Sequence, residues 1–170
     1  MHDRLNQNDV TNRINVESAA QVRDAVVSIY AARYPGFDAA PLTRAFADIE
    51  ALFEGRFPGY LACDTLYHDM RHTLDMTLAT ARLVDGYERV RSGEPLGARR
   101  AVLAIVIALL HDSGYMRRAS ESNVANGAIF TKTHVSRSAD FLMRYLPTLG
   151  FAAEAETAAR LVHFTGYEMD

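Results

Sequence analysis

The sequence contains one cysteine, Cys63, so neither a disulfide framework nor a thiolate metal site is open to it. Positive charge is also in short supply: 18 Lys and Arg stand against 21 Asp and Glu, giving a net charge of −3. There is no Lys/Arg cluster, which speaks against a nucleic-acid partner. No apolar run reaches the ~20 residues a bilayer-spanning helix needs. The first 20 residues are polar and lack the apolar core of a signal peptide. These absences point to a cytoplasmic protein that does not engage a membrane. Strand-like alternation, internal repeats and low-complexity segments are missing too, and helical spacing is what remains. The expected fold class is all-α.

With 49% apolar and 23% charged residues, the chain has the composition of one globular domain long enough to bury a core. Residues 1–15 are polar and aperiodic and read as a mobile segment; residues 16–170 read as the domain. Ala19, Val22, Val26, Ile29 and Tyr30 repeat at helical steps, with Asn15 or Ser18 as cap. Pro41 suits the first turn of a second helix buried through Leu42, Phe46, Ile49 and Phe53. A third helix is expected from a cap at Asp64 or Thr65, with an inner face of Leu66, Met70, Leu74, Leu78 and Leu83. Residues 101–110 form the fourth. Residues 116–130 read as a loop, Thr131 caps a helix through Leu146, and a last helix starts near Ala152.

The centre of the sequence is AVLAIVIALLHDSGY, residues 101–115. Ten consecutive apolar residues belong in the middle of a core, and they lead straight into His111 and Asp112. A buried imidazole and carboxylate without compensation would cost several kcal/mol on an order-of-magnitude scale. A metal cation compensates both at once. Three further histidines besides His111 lie on expected core helices within reach of this logic, His72, His134 and His163, together with His68 one turn before His72. Imidazole and carboxylate together form a ligand set for Zn, Fe, Mn or Ni, and five histidines with one shareable aspartate suffice for two ions. His68-Asp69-Met70-Arg71-His72 has the HExxH spacing of zinc proteases, but Asp69 stands where the glutamate base belongs, and His111-Asp112 would go unexplained.

Tyr67-His68-Asp69-Met70-Arg71-His72-Thr73-Leu74-Asp75-Met76 resembles the YHNxxHxxDV segment of cyclic-nucleotide phosphodiesterases. Ala108-Leu109-Leu110-His111-Asp112-Ser113-Gly114-Tyr115 resembles the ALLHDxGH segment of the HD-domain metal-dependent phosphohydrolases, and the two segments occur in that superfamily's order. The resemblance covers roughly residues 45–165. It implies a helical HD-domain bundle holding one or two divalent ions, from among Fe, Mn, Zn, Ni and Mg. It also implies hydrolysis of a nucleotide phosphoester, a 3',5'-cyclic one included. His72, His111 and Asp112 would be metal ligands, His134 and His163 would hold a second ion, and His68 would be the proton donor to the leaving oxygen. Asp75 would steady His72 from behind.

Arg117, Arg118 and Arg137 are the candidate phosphate ligands near the motif. Asp69 in place of Asn and Tyr115 in place of His depart from the pattern. The superfamily's closing Asp ligand lies further downstream, so the resemblance reads the chain as a domain lacking its C-terminal helices; Asp140 and Asp170 are the local substitutes. A nucleotidase or other phosphomonoesterase, a di-iron oxygenase and a non-catalytic nucleotide- or metal-binding module are the alternatives on the same scaffold. The helix count is compatible with a homodimer.

Overall fold

The apolar run at 101–110 is the spine on which the other helices pack. In the computed structural model, which describes residues 6–90 and 93–166, the chain is all-α and no strand occurs among those residues. Its helices are α1 (Ala19–Arg33), α2 (Ala40–Phe53), α3 (Met70–Val90), α4 (Gly97–Leu110), α5 (His134–Tyr145) and α6 (Ala155–Val162), joined by turns and short 3-10 segments. No described helix is long and apolar enough to cross a membrane.

Helix α4 packs against α2, α3, α5 and α6 and is buried along its apolar run except at Ala104 and Ala108. Those two alanines floor an open cleft of about 1160 Å³ that Thr80 of α3 and Leu161 of α6 also line. The buried hydroxyl of Tyr30 donates to the Ala101 carbonyl at 3.1 Å and ties α1 to α4. Ser18 caps α1 by accepting from the Gln21 N–H at 3.3 Å. Pro41 stands in the first turn of α2, where its missing N–H is not needed, and Leu42, Phe46, Ile49 and Phe53 are buried as expected.

Three local expectations need correcting. Helix α3 begins at Met70 and not near Thr65, because Thr65 Oγ1 donates to the His68 carbonyl at 2.8 Å and holds residues 66–69 in a bend. Asp69 then takes the capping role, accepting from the His72 N–H at 2.8 Å. The buried face of α3 is Thr73, Leu74, Thr77, Leu78, Ala81 and Val84, while Leu66 and Leu83 are exposed. Thr77 can be buried because its hydroxyl donates to the Thr73 carbonyl at 2.7 Å within the same helix. Helix α5 starts at His134, preceded by a 3-10 turn at Gly127–Phe130.

The described part of the N-terminal stretch forms a loop built on one carboxylate. Asp9 is completely covered and accepts from Thr11 Oγ1 (2.7 Å), the Arg13 N–H (2.9 Å), the Ile14 N–H (2.8 Å) and Arg82 (2.6 Å). Burial alone would raise its pKa; the Thr11 hydroxyl, the two N–H groups and Arg82 outweigh that and hold it well below the usual carboxylate range. A depressed folded-state pKa stabilises the fold above the unfolded value of ~3.9 and loses that contribution as pH falls toward the folded value. Asp9→Ala should therefore cost about 2 kcal/mol at pH 7, a Tm drop of about 4–8 °C, shrinking below about pH 4. Thermal melts of both proteins across pH 3–7 check this; equal Tm values at neutral pH would show that the loop is not held by this carboxylate.

Candidate metal centre

Helix α4 ends at Leu110 and delivers His111 and Asp112 into the interior, where both are buried. The Asp112 carboxylate is the centre of the site. His68 Nδ1 lies 2.7 Å from Oδ2, His111 Nε2 3.1 Å and His72 Nε2 3.4 Å from the same oxygen, and His134 Nε2 4.0 Å from Oδ1. The donor atoms of His68, His72 and Asp112 all lie within 4.8 Å of one another, and this group could hold a metal ion. Metal–nitrogen and metal–oxygen bonds of ~2.0–2.2 Å place neighbouring ligand atoms about 3.0–3.5 Å apart, the range of the His111 and His72 separations.

The tautomers are fixed locally. His111 Nδ1 is 2.7 Å from the Ala108 carbonyl, and His134 Nδ1 is 2.8 Å from the Thr131 carbonyl. A carbonyl oxygen only accepts, so each Nδ1 carries a proton and donates it. In the neutral ring Nε2 is then bare, and that of His111 confronts the Asp112 carboxylate at 3.1 Å. Two lone pairs at that distance need a cation between them, either a second proton or a metal ion.

The protonation pattern agrees. Burial pushes the His111 pKa down, but the hydrogen bond and charge of Asp112 outweigh it, and the net direction is up. For His72 burial dominates over Asp112, and its pKa is lowered. Burial would raise Asp112, yet the hydrogen bonds and charges of His111 and His68 hold it down to about 2. At neutral pH the site offers an ionised carboxylate and a neutral His72, the forms in which these side chains bind metal. The donor set of imidazoles plus one carboxylate fits a divalent transition metal.

Tyr115 supplies the packing. Its ring stacks on His68 at 4.2 Å and 18°, and on His134 at 4.4 Å and 21°, while the two imidazoles lie 6.1 Å from each other, so the phenol ring packs against both. Two glycines allow the approach of α5. A Cβ on Gly114 would lie 1.8 Å from the His134 carbonyl oxygen, and one on Gly166 would lie 3.2 Å from His134 Nε2. The Gly114 N–H donates to Ser138 Oγ at 2.8 Å on the next turn of α5. Sequence reasoning passed over Gly166 and Ser138; a glycine in the HDxG turn was the one available signal.

The chain compared with known families, curated proteins and solved structures finds no match.

Several expected site residues lie elsewhere. His163, at the end of α6, is exposed and pairs with no carboxylate among the described residues. Among the described residues Asp75 makes no hydrogen bond to His72, whose backbone N–H donates to Asp69 instead. Asp140 is exposed and Asp170 lies outside the described residues.

The arginines are committed to structure. Arg137 donates to the Gly114 carbonyl (2.7 Å), the Met116 carbonyl (3.0 Å) and both carboxylate oxygens of Glu121 (2.9 Å each), and its guanidinium lies over the Phe130 ring. Arg117 pairs with Asp64 at 2.7 Å and donates to the Val124 carbonyl at 2.8 Å. Both brace the chain after the His-Asp turn instead of facing the cluster. The cluster reaches solvent at His68 and His72, whose side chains are 30% and 22% exposed against 3% for Asp112.

Proposed function

We propose that this chain is an HD-type, metal-dependent phosphohydrolase acting on a nucleotide phosphoester, a 3',5'-cyclic one included. The observation that carries the reading is the convergence of His68, His72 and His111 on the buried Asp112 carboxylate, where the donor atoms of His68, His72 and Asp112 lie close enough together to hold a metal ion. The resemblance of the two histidine segments supplies the reaction class. His72, His111 and Asp112 would hold one divalent ion, and His134, 4.0 Å from the other oxygen of Asp112, would serve a second. When bound, such an ion lowers the pKa of a water toward neutrality and neutralises phosphoryl charge. His68 uses Nδ1 on Asp112, which leaves Nε2 at the solvent edge free to carry a proton to the departing ribose oxygen. Asp112 thereby orients the acid as well as serving as a ligand.

The commitment of Arg117 and Arg137 to Asp64 and Glu121 favours a second reading, a metal- or nucleotide-binding module that does not turn over substrate. A phosphomonoesterase on the same scaffold would use the same groups.

Elemental analysis of wild type, His111→Ala and His68→Ala, with phosphodiester and phosphomonoester turnover measured alongside, separates these readings. Wild type should carry one or two equivalents of a divalent metal, and His111→Ala should lose them. His68→Ala should keep its metal and lose about 10²–10⁴-fold in kcat. No metal in wild type after reconstitution would overturn the reading, and metal without turnover of any nucleotide ester would establish the binding module.

A further inference from the structure

We propose a second small-molecule site at the far end of α5, which takes an anionic ligand with a flat aromatic ring. The sequence places Arg56-Phe57-Pro58-Gly59-Tyr60 between α2 and the bend that bears His68. This loop closes, together with α2 and the C-terminal end of α5, a cavity of about 490 Å³, within the ~300–1,000 Å³ of ligand pockets. Its wall is aromatic. Phe57 and Tyr60 pack edge to face at 6.0 Å, Tyr60 meets Phe141 at 5.5 Å, and Phe141 meets Tyr145 at 5.6 Å. Phe141 and Tyr145 are buried while Phe57 and Tyr60 remain half-exposed, so ring surface is left for a ligand.

The rim is cationic. Arg44, Arg56 and Arg144 all line the cavity. Arg44 is engaged by Asp48 at 3.4 Å and Arg56 by Glu54. Among the described residues Arg144 pairs with no carboxylate, and it donates to the Tyr60 hydroxyl at 3.5 Å. Asp48, the carboxylate lining the cavity, already accepts from Tyr145 Oη at 2.8 Å as well as pairing with Arg44. The cavity thus carries one surplus guanidinium beside aromatic faces, which suits stacking plus an anion.

The site is built in advance. Gly59, at φ +83°, closes the turn that brings Phe57 and Tyr60 to the same cavity. The Arg56 and Phe57 N–H groups both donate to the Ala51 carbonyl, at 2.8 and 3.0 Å. On the other side the Leu61 N–H donates to the Arg117 carbonyl (2.9 Å) and the Ala119 N–H to the Gly59 carbonyl (2.8 Å). A loop pinned at both edges loses little freedom on binding. The same bonds join the loop to the segment that follows Asp112.

Calorimetric titration of the chelator-treated full chain with AMP, adenosine and inorganic phosphate tests the site, since AMP combines ring and anion and the others carry one each. AMP should bind more tightly than about 1 mM, with adenosine and phosphate at least tenfold weaker. Arg144→Ala should weaken AMP about tenfold, Arg144→Lys less, and His111→Ala not at all. AMP binding lost in His111→Ala and kept in Arg144→Ala would place the nucleotide at the metal centre and overturn the proposal. AMP weaker than about 1 mM, or no tighter than phosphate alone, would overturn it as well.

Discussion

Gly114→Ala should lower Tm by about 6–12 °C, a loss of at least ~3 kcal/mol, and should remove His134 from the cluster. The added methyl would sit 1.8 Å from the His134 carbonyl oxygen and 2.8 Å from its Cα, contacts that only a shift of α5 can relieve. Those are backbone atoms, so no side-chain rotation absorbs the clash. Such a shift also pulls Ser138 from the Gly114 N–H and Arg137 from the Gly114 carbonyl. Ser138→Ala removes the hydroxyl without the clash and leaves one buried N–H unsatisfied, a cost of about 1–3 kcal/mol. Thermal melts of the two variants give the ranking, Gly114→Ala the more damaged. Equal Tm for wild type and Gly114→Ala would show that α5 does not dock as described.

Asp112→Asn should weaken divalent-ion affinity by about a hundredfold or more while leaving the helical fold intact. The amide keeps the shape and one acceptor but removes the charge on which His68, His72 and His111 converge. His111 in the metal-free variant should titrate lower than in the metal-free wild type, because its hydrogen bond would then be to a neutral amide and the Asp112 charge that raises its pKa against burial would be gone. Metal titration and histidine ring shifts by NMR read both effects. An unchanged affinity would mean that Asp112 is not a ligand.

The core was readable from the sequence because α4 is apolar on every side, and a pattern of that kind has one place to go. The His111-Asp112 end followed from the same run. What escaped was set by interactions between distant residues. Burial of Thr73 and Thr77 in place of Leu83 reflects which side of α3 meets the core, and threonines give no apolar signal. Asp9 draws its partners from its own loop and from Arg82, 73 residues away. Arg137 stands near His134 in sequence and reads as a phosphate ligand, yet Glu121 and the carbonyls of the His-Asp turn saturate it. His163 has the spacing of a ligand, but α6 ends with it facing solvent. Helical period cannot tell such residues apart; only the packing of α5 against the turn after Asp112 does.

The Nδ1 protons of His111 and His134 each rest on a carbonyl three residues earlier. Because those bonds are local, both rings keep their orientation whether or not a cation is present, and the cluster of imidazoles around Asp112 is assembled by folding itself. Ion capture should then be governed by how fast the incoming cation sheds its own hydration water, not by rearrangement of the protein. Uptake rates should accordingly rank as the water-exchange rates of the free ions do.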